Sequence, residues 1–520
     1  VPPEWNETLR DVLARLSRDA PQQASVVGAQ NPISYAELHA QALALASGFR
    51  LLGLGPGDII AAQLPNSVEF LLCYLAAGYI GATLQTIHMP YRGGEVETLL
   101  AHSRAAAAVC LAQGKDGSPA ELIVSRRPKL TNLKHVIAVG PQPPAGTIAF
   151  ASLMTSRDEA ALPPIAVTDR FLLLYTSGTT AAPKGVPVDY RRFLGNASLS
   201  AAELEIDCSS ILLSAAPFTH LYGLFSVNLA LTSGAATAIM PMFTPAALAA
   251  AVDACRPTGL FVAPAHMSAC LNEGLLTPER LSSLRFVLIS GSVCPPALAH
   301  AVQERMPNGK MLQLWGMSEM QAGTFTRPGD PLGVRTTTAG RASPGTELRI
   351  ADGTVLLAPG TEGELQARGR SVFSGYLDNV EATAAAFTPD GWFRTGDLAR
   401  LDAAGNLDIT GRLKDVINRG GVKFNPADVE AIIGRHAAVA QCAIVPAPDP
   451  VLGERACCFL VLKPDATITL DDLRAWLTAH DVGKMKWPER LEFIGDMPLT
   501  PTRKIKKAVL AQLAANTASS

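Results

Sequence analysis

The chain has 520 residues, 48% hydrophobic and 17% charged, with a formal net charge of −2. That length allows two to four structural units and a sizeable core. The near-neutral balance gives no electrostatic reason to expect nucleic acid or an anionic membrane surface as a partner.

The first ten residues, V-P-P-E-W-N-E-T-L-R, carry acids early and no apolar run, unlike a secretory signal. Residues 35–52 (Y-A-E-L-H-A-Q-A-L-A-L-A-S-G-F-R-L-L) predict an amphipathic helix closed by Gly53 and Gly55. I-I-A-A-Q-L (59–64) reads as a strand and 67–78 as a second helix, with A-V-C-L-A and H-V-I-A-V as further strands. Two spans, 70–91 and 211–251, lack Asp, Glu, Lys and Arg and are long enough to suggest a membrane crossing. The first is interrupted by Gly78, Gly81, Thr83, Gln85 and Pro90, the second by Pro217, Gly223, Gly234, Pro241 and Pro245. Buried helix–strand units explain both spans better than a membrane does.

Pro and Gly cluster at 140–146 and 163–164, ahead of a strand, F-L-L-L-Y (171–175), that runs straight into T-S-G-T-T. F-V-L-I-S-G-S (286–292) and M-L-Q-L-W-G (311–316) repeat that grammar of an apolar strand ending in a glycine turn. Ligands of α/β sheets bind beyond the carboxyl ends of strands, so these three ends are expected to converge on one cleft. Around 412–419 (R-L-K-D-V-I-N-R) the texture changes, and N-P-A-D-V-E-A-I-I announces a capped helix. A small α+β domain of about 100 residues fits there. The tail from Gln512 onward is expected to fray. Nine cysteines without a C-x-x-C pair argue against a disulfide framework or a zinc site, and for buried thiols in a reducing, cytoplasmic setting.

The stretch Y-T-S-G-T-T-A-A-P-K-G (175–185) carries the chemistry. A strand that ends in glycine and hydroxyls offers backbone N–H and O–H donors together, a nest for anionic oxygens, and a nearby lysine adds positive charge. The Walker order G-x-x-x-x-G-K-[ST] is absent. The motif instead resembles the phosphate loop of the adenylate-forming superfamily: acyl-CoA synthetases, adenylation domains and beetle luciferases. The resemblance continues in order along most of the chain. P-F-T-H-L-Y-G (217–223) is similar to the acyl-site segment, S-G-S-V-C-P (290–295) to the adenine cradle, and W-G-M-S-E (315–319) to the Y-G-x-T-E element. G-E-L-Q-A-R-G…G-Y (363–376), G-W-F-R-T-G-D (391–397), G-R-L-K-D-V-I (411–417) and P-L-T-P-T-R-K-I (498–505) complete the set.

The resemblance implies a large N-terminal adenylation domain (1–411) of stacked α/β subdomains with largely parallel sheets. A small mobile α+β C-terminal domain (412–520), hinged near Lys414, would follow it. The resemblance also assigns roles. Thr176, Ser177, Gly178, Thr179, Thr180 and Lys184 would hold the β- and γ-phosphates, and Ser318 the α-phosphate. Glu319 would ligate Mg²⁺, since one protein carboxylate with phosphates and waters suits that ion. Ser290, Gly291, Ser292, Trp315 and Gly316 would frame adenine; Asp397 and Arg412 would hold the ribose. Lys504 would reach the carboxylate and α-phosphate during adenylation, and Gly420 and Gly421 would face CoA. His220, Tyr222 and Gly223 would belong to the acyl site, with His220 beside the carboxylate. Ala181 and Arg503 depart from the family in standing where glycine is usual, and Trp315 and Ser318 stand where tyrosine and threonine are usual.

The acyl-site segment carries no aspartate to pair with an amino-acid ammonium, and its surroundings carry no charge at all. An unpaired buried polar group costs about 1–3 kcal/mol. The expected activity is therefore that of an ATP-dependent acyl-CoA ligase acting on an apolar monocarboxylic acid, aliphatic, alicyclic or aromatic, with Mg²⁺ as cofactor and ATP and CoA as co-substrates. The alternatives are an enzyme that loads a carrier protein, a luciferase-like oxygenase, and a nucleotide-binding pseudoenzyme that Ala181 and Arg503 would favour. No nucleic acid or integral membrane segment is expected, and homo-oligomerisation stays open.

Overall fold

Alternating strands and crossover helices build two sheets in the first of two compact units, formed by Val1–Thr176, Ala182–Glu347 and Arg368–Ala386. The computed structural model describes residues 4–28, 31–115, 117–154, 162–176, 183–419, 422–500 and 504–517. Among these, a seven-stranded sheet runs in the order Ile148–Ala149, His135–Val139, Ala107–Leu111, Ile59–Gln63, Thr83–Thr86, Arg170–Thr176 and Lys184–Asp189. Its pairs are parallel except the last. A nine-stranded sheet has a parallel middle comprising Lys310–Met317, Phe286–Ile289, Gly259–Val262, Ile211–Ser214, Ala236–Ala238 and Ala24–Val27, with antiparallel edges. The fold is the expected α/β class.

Local chemistry sets the elements. Ser34 caps the helix Tyr35–Leu51 in a reciprocal capping box with Glu37, and Gly53 follows at φ +77°. Ser67 caps the helix Val68–Tyr79, in which every residue from Phe70 to Tyr79 is buried. The helix Leu221–Ser233 is likewise buried from Leu221 to Leu231. A helix covered on all sides tolerates no charge, which accounts for both uncharged spans. No helix among the described residues is long and apolar enough to cross a membrane.

The described residues of the second unit fall within Leu348–Ala367 and Phe387–Ser520. This unit carries an antiparallel run of Gly363–Gly369, Phe393–Leu401 and Leu407–Arg412. A separate sheet is built around the long hairpin Val439–Asp449 and Gly453–Leu462. The helices Pro426–Ile433 and Leu470–Ala479 cover one face of that hairpin, and Lys507–Thr517 covers the other. Adjacent Cys457 and Cys458 therefore enter opposite cores, as strand alternation requires. The fraying expected from Gln512 is corrected here. Leu510 and Ala514 are fully buried, and Arg490 donates to the Ala514 carbonyl at 2.9 Å, so packing holds the helix through Thr517. The nine cysteines are free thiols, but not all are buried: Cys208 is exposed, and Cys255 and Cys442 are half-buried.

Candidate active site

The strands Arg170–Thr176 and Lys184–Asp189 pair with Thr176 opposite Lys184, so the lysine returns to the mouth of the loop it was expected to serve. Ser177, Gly178, Thr179, Thr180 and Ala181 lie outside the described residues. The Lys184 ammonium sits 5.0 Å from the centre of the Tyr376 ring, within cation–π range. Tyr376 in turn donates its hydroxyl to Glu319 Oε1 at 3.0 Å. Burial first, and the Glu319 carboxylate second, push the Tyr376 phenol far above its ordinary range, so it stays a donor.

Glu319 is 5% exposed, a buried acid and not the exposed turn carboxylate that a lone glutamate in such a sequence usually is. Its backbone carbonyl accepts from Phe373 N at 2.7 Å, and the Phe373 ring meets Tyr376 edge-on at 4.8 Å. In the sequence Tyr376 is only the last residue of the G-E-L-Q-A-R-G…G-Y motif. A tyrosine just after glycine was the only signal available.

Trp315 and Gly316 close the strand Lys310–Met317, which turns directly into Gln321–Phe325. The close approach of backbones demands glycine twice. A Cβ on Gly316 would run into the Gln321 carbonyl oxygen, and one on Gly323 into the Trp315 ring. Ser318 lies in the connecting turn, its carbonyl 3.5 Å from Gln321 Nε2. On the neighbouring parallel strand Phe286–Ile289, Ser290 is buried, Gly291 follows at φ +96°, and Ser292 is exposed.

The segment expected at the acyl site, 217–223, is held by polar contacts from a distant loop. Asn66 accepts from Phe218 N at 2.6 Å and donates to the Ala216 carbonyl at 3.1 Å. His220 caps the helix Leu221–Ser233: its Nδ1 accepts from Tyr222 N at 3.2 Å, which leaves the imidazole proton of the neutral ring on Nε2. Tyr222 is buried and donates its hydroxyl to the Leu288 carbonyl at 2.7 Å. Gly223 packs so closely that a Cβ would collide with the Pro217 carbonyl.

In the second unit, Arg412 Nε lies 2.9 Å from Asp397 Oδ1; the aspartate is buried and the arginine half-exposed. They face each other across adjacent strands. Lys414 is exposed in the short turn Leu413–Asp415. Asn425 bridges the segments flanking it, donating to the Thr410 carbonyl and accepting from Ala427 N at 3.1 Å. Gly420, Gly421 and Arg503 lie outside the described residues. Lys504 pairs with Thr500: its N–H donates to Thr500 Oγ1 at 3.0 Å, and its carbonyl accepts from Thr500 N at 2.7 Å.

Residues 13–377 match the model of the AMP-binding enzyme family, and residues 428–504 that of the AMP-binding enzyme C-terminal domain. The chain belongs to the AMP-binding, adenylate-forming enzymes. It is 32% identical over 514 residues to a medium-chain fatty-acid–CoA ligase of Escherichia coli (strain K12), covering 97% of this chain and 90% of that one. It is 34% identical over 525 residues to a salicyl-AMP ligase / salicyl-S-ArCP synthetase of Mycobacterium tuberculosis, covering 98% and 91%. The crystal structure of ATP-bound MatB from Rhodopseudomonas palustris superposes with a TM-score of 0.88 at 26% identity, over 98% of this chain and 99% of that one. The enzyme is thus of the adenylate-forming acyl-CoA ligase type, whose co-substrates are ATP and CoA.

Among the described residues no three His, Cys, Asp or Glu side chains gather into a metal cluster. A single buried carboxylate such as Glu319 suits Mg²⁺ that arrives with ATP phosphates and keeps its waters, and it does not suit a dedicated protein-held ion.

Proposed function

We propose that the enzyme activates an apolar monocarboxylic acid, aliphatic, alicyclic or aromatic, as its acyl-adenylate and transfers the acyl group to CoA. The observation that carries the substrate class is the uncharged wall around the acyl segment. The helix Leu221–Ser233 and the strand Ile211–Ser214 bring no ionised group to it. A second carboxylate or an ammonium on the substrate would be left without a partner there.

A carboxylate resists attack by a thiol because its leaving group would be an oxide. Attack of one carboxylate oxygen on the α-phosphorus expels pyrophosphate and makes a mixed anhydride. Attack of the CoA sulfur on the carbonyl then expels AMP. In this reading Thr176 to Thr180 and Lys184 hold the departing pyrophosphate, and Ser318 the α-phosphate. His220 Nε2–H donates to the substrate carboxylate, and Lys504 neutralises charge between carboxylate and phosphate. Glu319 would hold Mg²⁺, which when bound offsets phosphate charge. Trp315 and the 290–292 turn receive adenine. Asp397 and Arg412 receive the ribose, their present ion pair opening to admit it. The segment 412–520 acts as the lid, turning about Lys414 so that Gly420 and Gly421 line the CoA path. We place the enzyme in the cytoplasm, in keeping with nine free thiols.

ATP–pyrophosphate exchange against straight-chain, cyclic and aromatic monocarboxylates tests this reading, followed by CoA addition with AMP and thioester measured. Exchange that becomes net thioester with the best acid is the expected result. A second reading is favoured by the salicyl-S-ArCP synthetase among the relatives: exchange that CoA leaves unproductive would make a carrier protein the acceptor.

A further inference from the structure

The loop after the strand Thr83–Thr86 reaches the acyl segment through His88. Its Nδ1 lies 2.9 Å from Thr219 Oγ1. Its ring stacks on that of His220, with centroids 6.1 Å apart and planes inclined by 28°. Tyr91 closes the other side edge-on at 5.3 Å. The loop is itself clamped: Gln63, at the end of the adjacent parallel strand, donates from Nε2 to the carbonyls of both His88 (3.1 Å) and Tyr91 (3.0 Å).

These contacts bear on His220 from outside its own helix. The cap bond from Tyr222 N engages one nitrogen and sets the tautomer of His220. A second imidazole, offset from it and nearly parallel, borders the ring on another side, and Thr219 ties that second ring to the residue preceding His220. We infer that His88 is a positioning residue, holding the His220 ring in the orientation from which it meets the substrate carboxylate. This inference rests on the reading that His220 flanks that carboxylate. Burial holds the His88 imidazole at about 4, so near neutral pH it meets His220 as an uncharged ring and brings no repulsion to the stack. The nearest titratable neighbours facing it are His220 and Tyr91.

The consequence is specific. Loss of His88 should weaken adenylation through the acid alone, and only while His220 is present. The test is a double-mutant cycle on ATP–pyrophosphate exchange, with His88→Ala, His220→Ala and the double variant, each measured for KM of the acid, KM of ATP and kcat. The expected result is a rise of about tenfold in KM of the acid or an equal fall in kcat for His88→Ala, KM of ATP unchanged, and little further loss in the double variant. His88→Phe keeps the stacked ring and should recover most of the loss. It also replaces His88→Ala in the cycle should the alanine variant not fold, and then a small loss that depends on His220 is expected. Fully additive losses, or an equal rise in KM of ATP, would overturn the inference while leaving His220 at the carboxylate. A His220→Ala enzyme with unchanged kinetics would instead remove the reading on which it rests, and the inference with it.

Discussion

The Tyr376 hydroxyl donates to Glu319 Oε1 at 3.0 Å while the Tyr376 ring lies 5.0 Å beneath the Lys184 ammonium. One phenol thus links the proposed magnesium carboxylate to the proposed phosphate lysine. A hydrogen bond to a charged group is worth about 1.5–3 kcal/mol. Tyr376→Phe should therefore raise the Mg²⁺ concentration for half-maximal exchange by about tenfold or more, with KM of the acid unchanged. Glu319→Ala should abolish Mg²⁺-dependent turnover. Initial rates across a Mg²⁺ titration measure both, and an unchanged titration in Tyr376→Phe would separate the phenol from the metal site.

Lys504 is held by its backbone, through two hydrogen bonds to Thr500, and not by its side chain alone. Truncation to alanine should leave this backbone pairing in place. Lys504→Ala is expected to lower adenylation by about a hundredfold or more, yet to spare thioester formation from supplied acyl-adenylate. Lys506→Ala is the control for general loss of positive charge. Equal loss of both half-reactions in Lys504→Ala would contradict a lid with two working orientations.

His88 also sets a pH dependence. Its folded value of about 4 lies below the ordinary 6.5, so below the ordinary value the unfolded chain takes up a proton that the folded site refuses. The stability it contributes is complete above about pH 6.5 and is lost as pH falls toward about 4. The unfolding midpoint should fall less steeply across that window in His88→Asn than in the wild type. Parallel curves would show that His88 takes up its proton alike in the folded and the unfolded chain.

Gly223 has no room for a side chain, because the Pro217 carbonyl occupies the place of a Cβ. Gly223→Ala should destabilise the first unit by about 1–3 kcal/mol, seen as a lower unfolding midpoint. Displacing the Pro217–His220 turn should also raise KM of the acid. A variant as stable as the wild type would mean that the turn moves freely.

Much of this was legible from the chain alone, for physical reasons. The helix Tyr35–Leu51, the strand Ile59–Gln63 and the strand Phe286–Ile289 follow local periodicity and punctuation, and they appear within a residue or two of expectation, apart from the last, which stops where its glycine turn begins. Contacts between loops distant in sequence were not legible. His88 meets Thr219 across 131 positions, Asn66 meets Phe218 across 152, and Tyr376 meets Glu319 across 57. None of these pairs leaves a periodic trace. The terminal helix Lys507–Thr517 was misread because a short, small-residue tail looks frayed until its partner strand is known.

If acyl transfer passes through an acyl-adenylate, an oxygen of the acid must end on AMP. With the acid that gives the fastest exchange, carrying ¹⁸O in its carboxylate, one labelled oxygen should pass to the phosphate of AMP as the CoA thioester forms. Label absent from AMP, or found in ADP or inorganic phosphate, would contradict the adenylate route.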